Sequence, residues 1–136
     1  MDKLMLSLAG FPSFLLYFGL ALVLVAIFLF VYVRVTPYRE FALIREGNTA
    51  AAVSLSGSVI GFILPLASAI AHSVSPVDMV IWGVIALVVQ ILAFFLASRL
   101  VPGIAEAIPQ GRTASATILA ALSLGAGLLN AACMTN

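Results

Sequence analysis

Charge is scarce in this chain of 136 residues: six Lys or Arg and five Asp or Glu make up 8% of it. So few charged side chains cannot solvate a globule of this size, and with 64% hydrophobic residues and a mean hydropathy of +1.26 an ordinary soluble domain is excluded. Cysteine occurs once, as Cys133, which excludes an intrachain disulfide framework and a cysteine-based metal cage. Histidine also occurs once; His72 and Asp78 could meet around a turn, but two ligands do not make a metal site. A net charge of +1 without a basic cluster leaves no electrostatic footprint for nucleic acid. G-x-S-x-G, H-E-x-x-H and phosphate-loop patterns are missing, and the hydroxyls of the apolar runs have no His or Lys base beside them. These gaps argue against an enzyme, and no catalytic residue, metal ligand or cofactor is expected.

Apolar length is what the chain has. Four runs, roughly 13–35, 49–71, 77–98 and 113–134, are each long enough to cross about 30 Å of hydrocarbon as a helix. They lack the period-two alternation of an outer-membrane barrel, and lipid cannot satisfy an open strand edge. The expected fold is therefore all-α, a polytopic membrane protein with four transmembrane helices in one integral domain. At about 23 residues the first run is too long for a signal-peptide core, so it is read as a retained span. Pro12 and Pro76 precede the first and third spans, where a missing N–H costs little. Thr49 and Thr113 are the expected caps of the second and fourth.

The cations set the orientation. Arg34, Arg39 and Arg45 fall at or in the first connection, Arg99 and Arg112 bound the third, and only Lys3 lies on the opposite side. The positive-inside rule places both connections in the cytoplasm and both termini outside it. Phe11, Phe14, Tyr17 and Trp82 then lie near the outer interface, and Tyr32 and Tyr38 near the inner one.

At the offset that pairs Pro12 with Pro76, Gly19 meets Gly83, Gly47 meets Gly111, Thr49 meets Thr113, Ala50 meets Ala114 and Gly61 meets Gly125. A slip of one position also pairs Arg34 with Arg99 and Pro37 with Pro102. The shared G-x-T-A-x-A pattern favours duplication over chance. Residues 12–72 and 76–136 read as tandem parallel two-helix repeats, which excludes an inverted-repeat transporter plan within one chain.

In the second span Ser54, Gly57, Ser58, Gly61, Pro65 and Ser68 fall on one helical face. Small residues let backbones approach closely in lipid, so this face reads as a packing seam within the chain or between subunits. The alternative is a polar path in which Pro65 loosens the helical ladder and the serines line a pore. Ala114, Thr117, Ala121, Gly125 and Ala132 form the related, less polar face of the fourth span. Gln90 and Asn130 are amides in hydrocarbon that need partners on other helices. The spans contain no ionisable mid-membrane group, which argues against proton-coupled transport and redox carriage. Outside the spans, 37–46 reads as a short amphipathic helix ended by Gly47-Asn48. Phe41 and Ile44 would dip into the interface, while Arg39, Glu40 and Arg45 stand in water as candidate docking residues for a cytoplasmic partner.

Several segments resemble the YjfL-type family of bacterial inner-membrane proteins, also called domain of unknown function 350. They are Thr36-Pro37 with Glu40 and Leu43-Ile44, then Asn48-Thr49-Ala50-Ala51, Ser56-Gly57, Gly61 and Ile63-Leu64-Pro65-Leu66. Trp82-Gly83, Ile85-Ala86-Leu87 and the tail Asn130-Ala131-Ala132-Cys133-Met134-Thr135 continue the similarity over nearly the whole chain. The resemblance implies four spans from two repeats and no assigned reaction. The frequent company of genes for peptide- or polyamine-ligating enzymes and membrane-stress proteins implies an accessory or transport role. Two functions compete. One is a non-enzymatic accessory or scaffold component that self-associates through the Gly57 and Gly61 face, forming a homo-oligomer and offering its connections to a cytoplasmic or membrane protein partner. The other is a small oligomeric channel or permease for a cation, a polyamine or another small solute.

Overall fold

The computed structural model describes residues 2–134, and among these every regular element is a helix. The order is α1 (Asp2–Leu8), α2 (Phe11–Val35), α3 (Glu40–Arg45), α4 (Thr49–His72), α5 (Pro76–Leu100), α6 (Ile104–Ala107) and α7 (Thr113–Cys133). Helices α2, α4, α5 and α7, of 25, 24, 25 and 21 residues, are the four long and apolar enough to cross a membrane. The expected four-span, all-α architecture is therefore observed. Residues 135 and 136, which include Thr135 of the tail and the end of the second expected repeat, lie outside the described residues.

Helix α4 is the hub, contacting α2, α3, α5 and α7. Its closest partner is α7, and the small-residue face explains why. A Cβ on Gly57 would overlap the Ala120 backbone, and one on Gly61 would meet the Ser123 carbonyl and the Gln90 amide. A Cβ on Gly127 would run into the Gly61 carbonyl. Pro65 cannot return a hydrogen bond to that same carbonyl, since it lacks the N–H that would point one turn back. The freed carbonyl faces the one residue type on α7 that leaves room for it. Helix α4 nevertheless continues through Pro65 without a break.

On the other side of α4 an aromatic stack locks α2 and α5 in place. Phe28 and Phe62 stack with centroids 4.5 Å apart, and Tyr32 meets the Phe94 ring edge-on at 5.7 Å. Gly83 lets α5 approach Leu24, whose methyl would lie 2.8 Å from an added Cβ. The outer faces of α2 and α5 carry Phe14, Phe18, Leu22, Leu92 and Leu96, all exposed, as lipid-facing helices require.

Both connections lie at one end of the bundle and are bolted together by Asn48. Its Oδ1 accepts from the Ala51 N–H at 3.0 Å, capping α4, and its Nδ2 donates to the Ile108 carbonyl at 3.0 Å and the Pro109 carbonyl at 3.3 Å. Thr49, the expected cap, is the first helical residue instead. Thr113 likewise begins α7, preceded by Arg112 with no side-chain cap; an N-cap must sit one residue outside the helix to reach its free N–H groups. Gly47 (φ 86°) and Gly111 (φ 78°) adopt the left-handed conformation just before α4 and α7. At the opposite end Ser75 caps α5 by accepting from the Asp78 N–H at 3.1 Å, and the Asp78 carboxylate accepts from the Val74 N–H at 3.2 Å.

Candidate functional site

Two groups of buried polar side chains stand out from this apolar bundle. The first joins all four spans. The Ser58 hydroxyl of α4 lies 2.8 Å from the Tyr32 hydroxyl of α2 and 3.3 Å from Ser123 Oγ of α7. Gln90 of α5 donates from Nε2 to the Ser58 and Ser123 carbonyls, each at 3.2 Å. All but the tyrosine ring come from residues small enough, or placed deep enough, to sit where α4 and α7 are closest. Gln90 and Asn130 were expected to bond between helices; Gln90 does so. Its Oε1, however, is buried without a partner, as is Asn130 Nδ2.

Of the six residues of the α4 face, Gly57, Ser58, Gly61 and Ser68 meet α7. Ser54, Gly57, Ser58, Gly61 and Pro65 are buried, and Ser68 donates to the Ala131 carbonyl at 3.2 Å. Ser54 returns its hydroxyl to the Ala51 carbonyl at 3.1 Å. The partner helix presents Ala116, Leu119, Ser123 and Gly127. Ala114, Thr117, Ala121 and Ala132 instead point outward, and an added Cβ on Gly125 would find open space. The choice of face is a matter of which small residue can lie beneath the Gly61 carbonyl. Gly127 fills that role, two positions along from Gly125.

The second group lies in the first connection, and here an expectation is corrected. Glu40 does not stand in water: it is 1% exposed. Helix α3 begins at Glu40, not at position 37, which turns this first residue inward. Thr36 Oγ1 donates to Glu40 Oε1 at 2.7 Å, while Glu40 Oε2 and the Tyr38 hydroxyl are buried without partners. Burial raises the Glu40 carboxyl above its ordinary value, and the Thr36 hydrogen bond opposes this only in part. Burial also pushes the Tyr38 phenol up, reinforced by Tyr32 and Glu40; its hydroxyl lies beside Ser54 without closing a hydrogen bond. Sequence reasoning missed this pair because a lone Glu in an amphipathic decapeptide ordinarily faces water.

Arg39 and Arg45 are exposed as expected. With Val33, Arg34, Glu40, Phe41 and Ala42 they line a depression of about 520 Å³. At the far end of the bundle His72 and Asp78 line one depression, yet His72 Nδ1 bonds the Ser68 carbonyl at 2.9 Å and Asp78 bonds Val74. Among the described residues no group of three or more His, Cys, Asp or Glu could hold a metal ion.

The DUF350 profile, described as a domain of unknown function, matches residues 5–134. The chain belongs to the DUF350 family. It is 41% identical over 123 residues to the UPF0719 inner membrane protein YjfL of Escherichia coli strain K12, covering 90% of this chain and 93% of that one. The YjfL protein of Escherichia coli O157:H7 gives the same values. The UPF0719 transmembrane protein YshE of Bacillus subtilis strain 168 is 30% identical over 90 residues, 63% of this chain and 64% of that one. No solved structure matches this DUF350 chain significantly. The relatives' names agree with a multi-pass membrane protein and carry no enzymatic activity.

Proposed function

We propose that this DUF350 protein is a non-enzymatic, self-associating component of an inner-membrane assembly, with both connections in the cytoplasm and both termini outside. The observation that carries the reading is the outward face of α7. Ala114, Thr117 and Ala121 are exposed, and Gly125 leaves open space beside it. Most of α7 is not buried within the chain. Lipid tails gain little from small side chains, whereas a second helix gains close backbone contact. The Thr117 hydroxyl is already satisfied by the Thr113 carbonyl at 2.8 Å, so the face offers contact without an exposed polar demand. A second copy of α7 fits it. The Gly57 and Gly61 face supports self-association less well, since α7 of the same chain fills it. The repeat reading is supported by the short helices α3 and α6 and by the left-handed glycines that close both connections.

Native mass spectrometry of protein extracted with its lipid tests this proposal. A defined homo-oligomer is expected, reduced to monomer in Ala121→Leu and Gly125→Leu with helix content intact. A wild-type monomer, or oligomers unchanged in both variants, would overturn it.

The channel or permease reading has its own support in the buried, unpartnered Gln90 Oε1 and Glu40 Oε2, acceptor oxygens suited to a cation or polyamine. Within one chain the closeness of α4 and α7 leaves no lumen along the seam, so this reading needs a path between chains. Solute flux into reconstituted vesicles, unchanged by Gln90→Leu and Glu40→Gln, would count against it.

A further inference from the structure

The depression over α3 gathers four charged side chains, of which three are cations and the one anion is turned away. Arg34 leaves α2 in its last turn, and its guanidinium lies 4.7 Å from the ring centroid of Phe30, an exposed residue of the lipid-facing surface. Arg39 sits at the N-cap of α3 and Arg45 is its last residue. None of the three forms an ion pair among the described residues. Glu40 would be their natural counter-charge, yet its carboxyl points inward to Thr36 and is excluded from water. Its raised proton affinity further reduces the negative charge available to them.

Three guanidinium groups without an ion pair line one depression, and their forked N–H donors are suited to a phosphate or carboxylate. The remaining wall is apolar, built from Val33, Phe41 and Ala42, with Phe41 half exposed. The depression also lies at the level where α2 ends, which is where phospholipid headgroups sit. We propose that the depression lined by Arg34, Arg39 and Arg45 binds the phosphate headgroup of an anionic phospholipid, with its acyl chains against Phe30, Val33 and Phe41. A free phosphate would use the guanidinium groups but leave the apolar wall and the lipid-facing Phe30 stack without a role. The inference is independent of self-association through α7 and of which compartment the connections face.

Native mass spectrometry of delipidated wild-type protein, mixed with phosphatidylglycerol or phosphatidylcholine at equal concentration, tests it. Phosphatidylglycerol adducts are expected to dominate. The double variant Arg39→Gln/Arg45→Gln, both at exposed positions that leave the fold undisturbed, is expected to lower them by on the order of tenfold. Arg99→Gln/Arg112→Gln removes the same charge from the other connection and is expected to leave them unchanged. Equal adducts with the two lipids, or equal loss in the two double variants, would overturn the proposal. So would displacement of phosphatidylglycerol by inorganic phosphate at matched ionic strength, which would make the site one for a soluble anion.

Discussion

Glu40 shows how one side chain can invert its expected role. A carboxylate at the start of a short interfacial helix favours water, and the helix terminus would stabilise its charge only weakly. Here the side chain is shut in with one oxygen unpartnered, so its ionised form is penalised in the folded protein and free of penalty in the unfolded one. The folded state therefore binds the proton more tightly, and stability falls as pH rises. The full contribution is present below the ordinary carboxyl value of 4.5 and is lost as pH climbs through the higher folded value. Melting temperature in detergent is expected to drop across that window in the wild type and to stay flatter in Glu40→Gln, which keeps the oxygen that accepts from Thr36. Identical pH profiles would show that Glu40 is solvated. Gln90 makes a second residue-scale case. Its two hydrogen bonds are worth about 1 kcal/mol each, while its unpartnered Oε1 costs about 1–3 kcal/mol. Gln90→Leu is expected to change stability by no more than about 1 kcal/mol, and a loss well beyond that in a thermal melt would mean the oxygen has a partner.

At the scale of elements, the α4–α7 seam separates glycines that pack from glycines that do not. Replacing glycine by alanine inside a helix gains about 1 kcal/mol of propensity, whereas forcing a methyl into a packed site costs about 1–3 kcal/mol. At Gly61 and Gly127 the obstacle is backbone of the facing helix, which cannot rotate away, so Gly61→Ala and Gly127→Ala are expected to lower the melting temperature. At Gly125 there is open space within the chain, and Gly125→Ala, measured in the Ala121→Leu background that keeps the protein monomeric, is expected to be neutral or stabilising. The opposite signs, read in one set of thermal melts, check the register of α7 against α4. That register was not legible in the sequence. The four spans were, because about twenty apolar residues in a row admit one structure in lipid, and so was the α4 face, because Ser54 to Ser68 follow helical spacing. On α7 two small-residue stripes, through Gly125 and through Gly127, run side by side, and periodicity alone does not choose between them. The choice needs the facing Gly61 carbonyl, a contact 66 residues away in the chain. Glu40 escaped for the same reason, since its burial accompanies α3 docking onto α4, and so did Asn48, whose bonds reach the third connection. An Asn48→Ala variant removes both the α4 cap and the tie to Ile108, and is expected to cost about 1–2 kcal/mol.

For the whole molecule, the charge distribution gives a physical reason to expect one orientation in the membrane. Moving a connection that carries several arginines across the bilayer is opposed during insertion, so the side with five of the six Lys and Arg residues is expected to stay in the cytoplasm. The fold makes the consequence testable with a native atom. Asn48 ties the two connections together at one end, and α7 carries the chain to the other end, where Cys133 is exposed and is the sole cysteine. With the proposed orientation, a membrane-impermeant maleimide added to intact spheroplasts is expected to label wild-type protein at Cys133. A Cys133→Ala protein carrying Gln110→Cys, at an exposed position in the third connection, is expected to label only after the membrane is opened. The reverse pattern would place Arg34, Arg39 and Arg45 on the outer side and overturn the proposed orientation. It would leave the four-helix packing untouched, since the α4–α7 seam and the aromatic stack depend on contacts within the chain, not on the compartment either end faces.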